Sequence, residues 1–260
     1  LRCNWRQILW WGLGVGSLGL VVALIVPNAD VLKDFSRVVQ SMPPSMLDMF
    51  GGEDAASVAT PAGFLNLIFF SYALLILGGY AVLAGLNITA NEEESKILDV
   101  LLSLPVPRWR LVIEKFLAYA VIIVGIVLLT FVGLWVGLKA TPALSVDEGR
   151  LLESTLNLLP GTLLMLAMTV LLTALVRRKN AAAAIATVVI VGSYFIDSIG
   201  RQATASVANA LRFLSFYTYY DSAAVIRSGL NWGNVLVLVV VALVLMAGGT
   251  WLFQRRNIGL

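Results

Sequence analysis

Histidine is absent from this sequence, and cysteine occurs once, at Cys3. Without histidine there is no Ser-His catalytic pair, no H-E-x-x-H zinc motif and no histidine proton relay. A single cysteine excludes an intrachain disulfide. Charge is also scarce: 13% of the residues are Asp, Glu, Lys or Arg, against about a quarter in soluble domains. No G-x-x-x-x-G-K-[ST] phosphate loop occurs, so ATP hydrolysis by that route is not expected of this chain. The formal charge of +3 comes with no nucleic-acid-binding motif, and no nucleic-acid partner is expected.

What is abundant is apolar: 59% of the 260 residues are hydrophobic. The runs are continuous rather than alternating, which argues for membrane helices and against a barrel. Six segments reach spanning length: 8–26, 62–88, 116–138, 156–176, 181–199 and 234–253. The expectation is an all-α membrane protein, one transmembrane domain over residues 1–260. The run from Ile8 to Val26 reads as a span rather than a secretion signal. It is too long for a signal core, and Pro27-Asn28-Ala29-Asp30 lacks a small-x-small cleavage pattern.

Six spans put both termini on one side. Positive residues favour the cytoplasm. With the termini inside, the inner segments hold Arg2, Arg6, Lys96, Arg108, Arg110, Lys115, Arg177, Arg178, Lys179, Arg255 and Arg256, which is eleven of the eighteen basic residues. The expected location is the plasma or inner cell membrane, with both termini cytoplasmic. The outer connections would be residues 27–61, 139–155 and 200–233. Val31, Phe35, Val38 and Met42 have helical spacing in the first, and Val207, Leu211 and Leu214 in the last. Both read as short amphipathic helices on the outer surface. Phe213, Phe216, Tyr217, Tyr219 and Tyr220 read as an interfacial aromatic belt.

The most polar stretch runs from Asn91 to Phe116. Thr89-x-x-Glu92 is a capping-box pattern, and Glu92, Glu93 and Glu94 suit the positive end of a helix dipole. Ile97, Val100, Leu101 and Leu104 share one face, which Leu98 and Leu102 widen. Pro105 and Pro107 then stop the helix. The spacing thus predicts a capped amphipathic helix over 92–104 at the inner ends of two spans. Two uses fit it. It could rest on lipid, with basic residues on headgroups. Or its apolar face could enter a groove on a cytoplasmic partner. The acidic start argues mildly against lipid, because helices on anionic leaflets are usually Lys/Arg-rich.

This stretch resembles the signature of the type-2 ABC exporter permeases, E-x-x-x-G-T-L-E/D-x-L-L-S-x-P-V-S-R followed by Lys. Glu94, Leu98-Asp99, Leu101-Leu102-Ser103, Pro105-Val106, Arg108 and Lys115 occur in that order. Lys96-Ile97 stands where Gly-Thr is common, and Pro107 where Ser is common. "TPAGFLN", "FYTYYD" and "FQRRNI" are similar to family segments elsewhere in the chain. The resemblance implies that 92–104 is a coupling helix docking on a separate P-loop ATP-binding subunit through Glu94, Ile97, Leu98, Val100, Leu101, Leu104 and Arg108. It implies a second permease copy, or a homologous permease, as a further partner. It implies ATP and magnesium on the partner subunit, and no cofactor on this chain. The expected cargo is apolar or amphipathic, a drug, antibiotic peptide or lipid-like molecule drawn from the membrane.

The resemblance also implies a pathway between copies of the second and fifth spans. Phe69, Phe70 and Tyr72 lie on the second, Tyr194 and Asp197 on the fifth. The i, i+3 pairs Phe69–Tyr72 and Tyr194–Asp197 are expected to share faces. Asp197 is the one acid inside a span and so a functional candidate. Near the outer end it could instead pair with Arg201 at i+4, or reach water. Gly12 and Gly16 form a small-xxx-small pattern, read as close helix packing. An ion- or proton-coupled transporter is the alternative function, but it wants ionisable groups at mid-membrane. An intramembrane enzyme wants a catalytic pair that is missing. No catalytic or metal residues are assigned.

Overall fold

The computed structural model describes residues 5–25, 29–43, 46, 58–88, 108–142, 144–176, 178–202 and 212–255. Among these there are helices and no strands. Six helices are long and apolar enough to cross a membrane. They are α1 (Trp5–Leu24), α3 (Pro61–Ile88), α4 (Arg108–Ala140), α6 (Leu158–Leu175), α7 (Lys179–Gln202) and α10 (Trp232–Arg255). Four shorter helices join them: α2 (Ala29–Ser41), α5 (Glu148–Leu156), α8 (Phe216–Tyr220) and α9 (Ser222–Ser228). The six expected spans are all present, and the protein is a multi-pass membrane protein.

Helix α6 is the centre of the bundle. It packs against α3, α10 and α7, while α1 lies along α4. The α1–α4 contact depends on glycine. Gly12 and Gly16 face Leu129 of α4, and a methyl group on Gly16 would stand 2.8 Å from the Leu129 carbonyl oxygen. A methyl group on Gly133 would overlap the Gly16 backbone. In lipid, where apolar surface gives helices little reason to associate, such close backbone approach supplies the van der Waals contact. The close-packing reading of Gly12 and Gly16 therefore holds. A polar contact joins the remaining neighbour: the Tyr80 hydroxyl of α3 donates to Gln7 Oε1 at 3.0 Å, with the Trp11 and Tyr80 rings 5.2 Å apart.

Several boundaries differ from those expected. Helix α4 begins at Arg108 and runs 33 residues, about 50 Å at 1.5 Å per residue, well beyond a hydrocarbon core of about 30 Å. Arg108 and Arg110, ahead of the span expected from residue 116, thus lie on a helical extension, where Arg110 Nε pairs with Glu114 at 2.7 Å, four residues on. The connection 139–155 is also not plain loop. The Asp147 side chain accepts from Arg150 N–H at 3.0 Å and caps α5. Glu148 accepts from Trp135 Nε1 at 2.9 Å and binds Lys139, fastening α5 to the end of α4. Helix α2 covers the expected helical stretch, but its packed face runs through Phe35 and Val39, with Met42 just past its end, while Val38 is exposed. After Pro43-Pro44 the sequence also suggests a second short helix, capped by Ser45; apart from Met46, it and the spacing through Val207 and Leu211 lie outside the described residues.

Helix α3 contains one irregular turn. Residues Asn66–Phe70 form a π-helical turn, with the Ser71 hydroxyl donating to Asn66 O at 2.9 Å. A stripe counted at 3.6 residues per turn does not continue through a turn of different pitch. Phe69 is 4% exposed and Tyr72 39%, so the expected shared face of Phe69 and Tyr72 is not found.

Candidate functional site

Two regions were expected to carry function. The coupling segment 92–104 lies outside the described residues, and with it Glu94, Ile97, Leu98, Val100, Leu101 and Leu104. Arg108 is described only as the first residue of α4. The helices that bracket the segment are in place. Helix α3 ends at Ile88, a buried residue, and Lys115 Nζ of α4 stands 3.5 Å from the Ile88 carbonyl oxygen. A cation there faces the negative end of the α3 dipole. The segment therefore leaves and rejoins two helices fixed to each other near their ends.

The second region lies at the opposite end of α3 and α7, around Asp197. This carboxylate is 7% exposed. Arg201 Nε approaches Oδ2 at 2.9 Å, and Arg212 Nε approaches Oδ1 at 3.4 Å. The Thr218 hydroxyl lies 2.8 Å from Oδ1 and 2.8 Å from the Arg212 carbonyl. Arg201 also faces Asp221 at 3.7 Å. The i, i+4 pairing of Asp197 with Arg201 was expected from the sequence. Arg212, Thr218 and Asp221 were not, because they reach Asp197 or Arg201 from a separate segment and carry no periodic signal.

That segment, Arg212–Asp221, packs through α8 against α10, α7 and α6, and reaches α3 through the Tyr220 hydroxyl. The Ser193 and Ser215 hydroxyl oxygens are 2.9 Å apart, and Ser215 donates to the Ser193 carbonyl at 2.8 Å. Ser215 also caps α8, accepting from Tyr217 N–H. The Tyr220 hydroxyl donates to Phe70 O, at the end of the π turn, at 3.0 Å. The Asn157 side chain, between α5 and α6, donates to the Tyr220 carbonyl. Burial pushes the Tyr220 phenol above its ordinary value, so it remains a donor.

The expected aromatic belt is corrected here. Tyr217 and Tyr220 are 4% and 3% exposed, so they are core residues rather than interfacial ones. Phe213 is exposed, and Phe216 and Tyr219 are half-buried. A run of aromatics in one sequence does not distinguish a headgroup belt from a turn folded into the bundle.

The five expected pathway residues divide. Tyr72, Tyr194 and Asp197 come together. The Tyr72 and Tyr194 rings are 6.5 Å apart, and Tyr194 meets Tyr217 edge-on at 5.4 Å. Phe69 and Phe70 are buried in the core of the same chain, edge-to-face at 5.3 Å. A pocket of about 40 Å³ lies beside the cluster, lined by Ser71, Tyr194, Asp197, Arg201, Tyr217 and Tyr220 among others. The Tyr217 hydroxyl meets no partner among the described residues. No group of three or more His, Cys, Asp or Glu side chains able to hold a metal occurs among them either.

Among the described residues, six helices are long and apolar enough to span a membrane, and an ion-paired cluster lies near one end of α7. A comparison with curated proteins returns no match. The family model described as "Multidrug efflux system permease Rv1217c, C-terminal domain" matches residues 1–254. That match covers nearly the whole chain and agrees with the resemblance to type-2 ABC permeases, and the chain belongs to this family of multidrug efflux permeases.

Proposed function

We propose that the chain is the membrane-spanning subunit of an ATP-driven exporter. In this reading a separate P-loop ATP-binding subunit hydrolyses ATP, and a second copy of this chain or a homologous permease completes the pathway. The cargo is an apolar or amphipathic molecule, such as a drug, carried out of the cell. The observation that carries the reading is the family match over residues 1–254. It is supported by the order of Glu94, Leu98, Leu101 and Arg108 between the second and third spans. The Lys115 contact to the end of α3 supports it too, because load applied to 92–104 would reach both helices together.

Tyr72 and Tyr194 are the pathway residues this reading favours. Tyr72 is exposed on the flank of α3, and an aromatic surface accommodates varied apolar cargo. Phe69 and Phe70 stand behind it and would shape the wall rather than touch cargo. Asp197, its oxygens engaged by Arg201, Arg212 and Thr218, serves better as a fastening than as a cargo ligand. The same engagement weighs against the secondary-transporter alternative, which needs a carboxylate able to exchange partners with a proton or ion.

Orientation is part of the proposal. Both termini and the turn Arg177–Lys179 face the cytoplasm, following the basic residues. Single cysteines in a Cys3→Ser background test it. Ser145→Cys should react with a membrane-impermeant maleimide in intact cells, and Asn180→Cys should react only after permeabilisation. Both positions are exposed. The reverse pattern would invert the topology and remove 92–104 from the side where ATP is available.

Export itself is tested by co-expressing the chain with its ATP-binding subunit and following ethidium efflux from cells. Faster efflux than with either subunit alone is expected. Efflux no faster than with the permease alone would remove the role assigned to the partner.

A further inference from the structure

We propose that the gap between α1 and α3 is a binding site for one anionic phospholipid of the inner leaflet, with an acyl chain in the gap and the phosphate on Arg6. The choice of leaflet rests on the orientation proposed above. The gap and its chemistry do not.

Helix α1 stays against α4 over most of its length: Ile8 faces Gly125, Gly12 faces Leu129, and Ala23 faces Gly137. It meets α3 differently. One contact lies near its start, where the Tyr80 hydroxyl holds Gln7 and the Tyr80 ring stands against Trp11. Another lies toward its end, where a methyl group on Gly19 would stand 3.4 Å from the Phe69 ring. Between these points the two helices part. The groove left there has a volume of about 370 Å³ and is lined by Trp10, Trp11, Gly14, Val15 and Leu18 of α1 and Ile76 of α3. Gly14 helps to widen it, since nothing stands within 4 Å of the place its methyl group would take.

Apart from two indole N–H groups, the side chains of this wall are hydrocarbon. An empty gap would forfeit the dispersion contacts of its lining. In a bilayer the material at hand is acyl chain. The length also fits. Leu18 is twelve residues on from Arg6, about 18 Å along the helix at 1.5 Å per residue. One leaflet with its headgroup layer is about 20–22 Å deep. A chain lying beside Leu18 therefore brings its phosphate to the level of Arg6.

The polar end asks for an anion. Arg6 is exposed and has no acid partner among the described residues. Trp10 is 78% exposed, and neither the Trp10 nor the Trp11 indole N–H has an acceptor among those residues. Helical side chains lean toward the N-terminus of their helix, so both indoles stand over the turn that holds Arg6. One guanidinium and two N–H donors thus gather without acceptors of their own. A phosphodiester supplies the missing charge and acceptor oxygens, in the charge-assisted bonds that arginine makes to phosphate. The same cation opposes a cationic cargo such as ethidium, which no acid in the groove would hold.

Tryptophan fluorescence reads the site. The full chain is reconstituted in phosphatidylcholine vesicles. These carry increasing fractions of phosphatidylglycerol brominated on its acyl chains or, separately, of brominated phosphatidylcholine. Bromine quenches the indoles it touches. Quenching by the phosphatidylglycerol should saturate at a fraction about fivefold lower, the preference expected of one basic side chain at a headgroup. Arg6→Gln should make the two titrations alike. Gly14→Leu fills the groove from a position with room for a side chain. It should weaken quenching by both lipids while the Tm in lipid-free detergent stays at the wild-type value. If Gly14→Leu lowers that Tm, Arg6→Gln decides alone. Equal titrations in the wild-type chain, or a preference that survives Arg6→Gln, would overturn the phosphate contact. Quenching unchanged by a folded Gly14→Leu would overturn the groove. Displacement of the brominated phosphatidylglycerol by ethidium would give the groove to cargo, and a changed oligomeric mass of Gly14→Leu would give it to a second copy. Either result contradicts the proposal.

Discussion

Gly133→Val should abolish the seating of α1 on α4. The added methyl groups would occupy the space of the Gly16 backbone, and backbone cannot swing aside as a side chain can. Overpacking of a tight contact typically costs about 1–3 kcal/mol. A cost near the top of that range corresponds to a fall in Tm of roughly 6–12 °C for a chain of this size. The effect should appear as a lower Tm and lower yield of monodisperse protein in detergent. Gly14→Val is the matched control. It adds the same group two residues before Gly16, about half a turn round α1, where nothing stands within 4 Å, and it should leave Tm near wild type. Equal Tm values for the two variants would show that α1 does not pack on α4 as described.

Leu101→Glu should separate the permease from its ATP-binding subunit. In the proposed coupling helix, Leu101 shares an apolar face with Ile97, Val100 and Leu104. A carboxylate placed in such a contact is buried without a partner, at a cost of several kcal/mol. A loss of 3–4 kcal/mol weakens binding by about 10²–10³-fold. The variant should insert and keep the wild-type Tm when purified alone, yet fail to retain the ATP-binding subunit. Retention of the subunit and wild-type efflux would place the contact elsewhere. The lipid-resting alternative for this helix makes the opposite forecast: subunit retention unchanged, vesicle affinity reduced.

The spans were legible because a run of about 20 apolar residues admits few other structures. The local pairings were legible for a related reason. Asp197 and Arg201, four apart on one helix, face each other whatever surrounds them, and the Gly12–Gly16 spacing announces close approach without naming the partner. The features that were missed arise between elements. Nothing in the spacing of Asn66–Phe70 signals a π turn, and nothing in the i, i+3 spacing tells that Phe69 is buried while Tyr72 is exposed. Tyr217 and Tyr220 read as interfacial because tyrosine suits an interface, but their segment folds inward, where Asn157 and Phe70 hold it. Arg212 and Thr218 join Asp197 only through that fold. Helix α5 left a fainter trace, an Asp147 cap followed by an acidic first turn, and the length of the neighbouring loop masked it. The proposed coupling helix is the reverse case, since its spacing and resemblance carry it and its residues lie outside those described.

The energy source divides the exporter reading from its alternative, and proteoliposomes decide it. The chain is co-reconstituted with its ATP-binding subunit, and ethidium movement is followed under two separate drives. One is ATP with magnesium and no ion gradient. The other is an imposed proton or sodium gradient without nucleotide. The account predicts movement with ATP alone, none with either gradient alone, and none with ATP when the permease carries Leu101→Glu. Movement driven by a gradient in the absence of nucleotide, undiminished by Leu101→Glu, would contradict it.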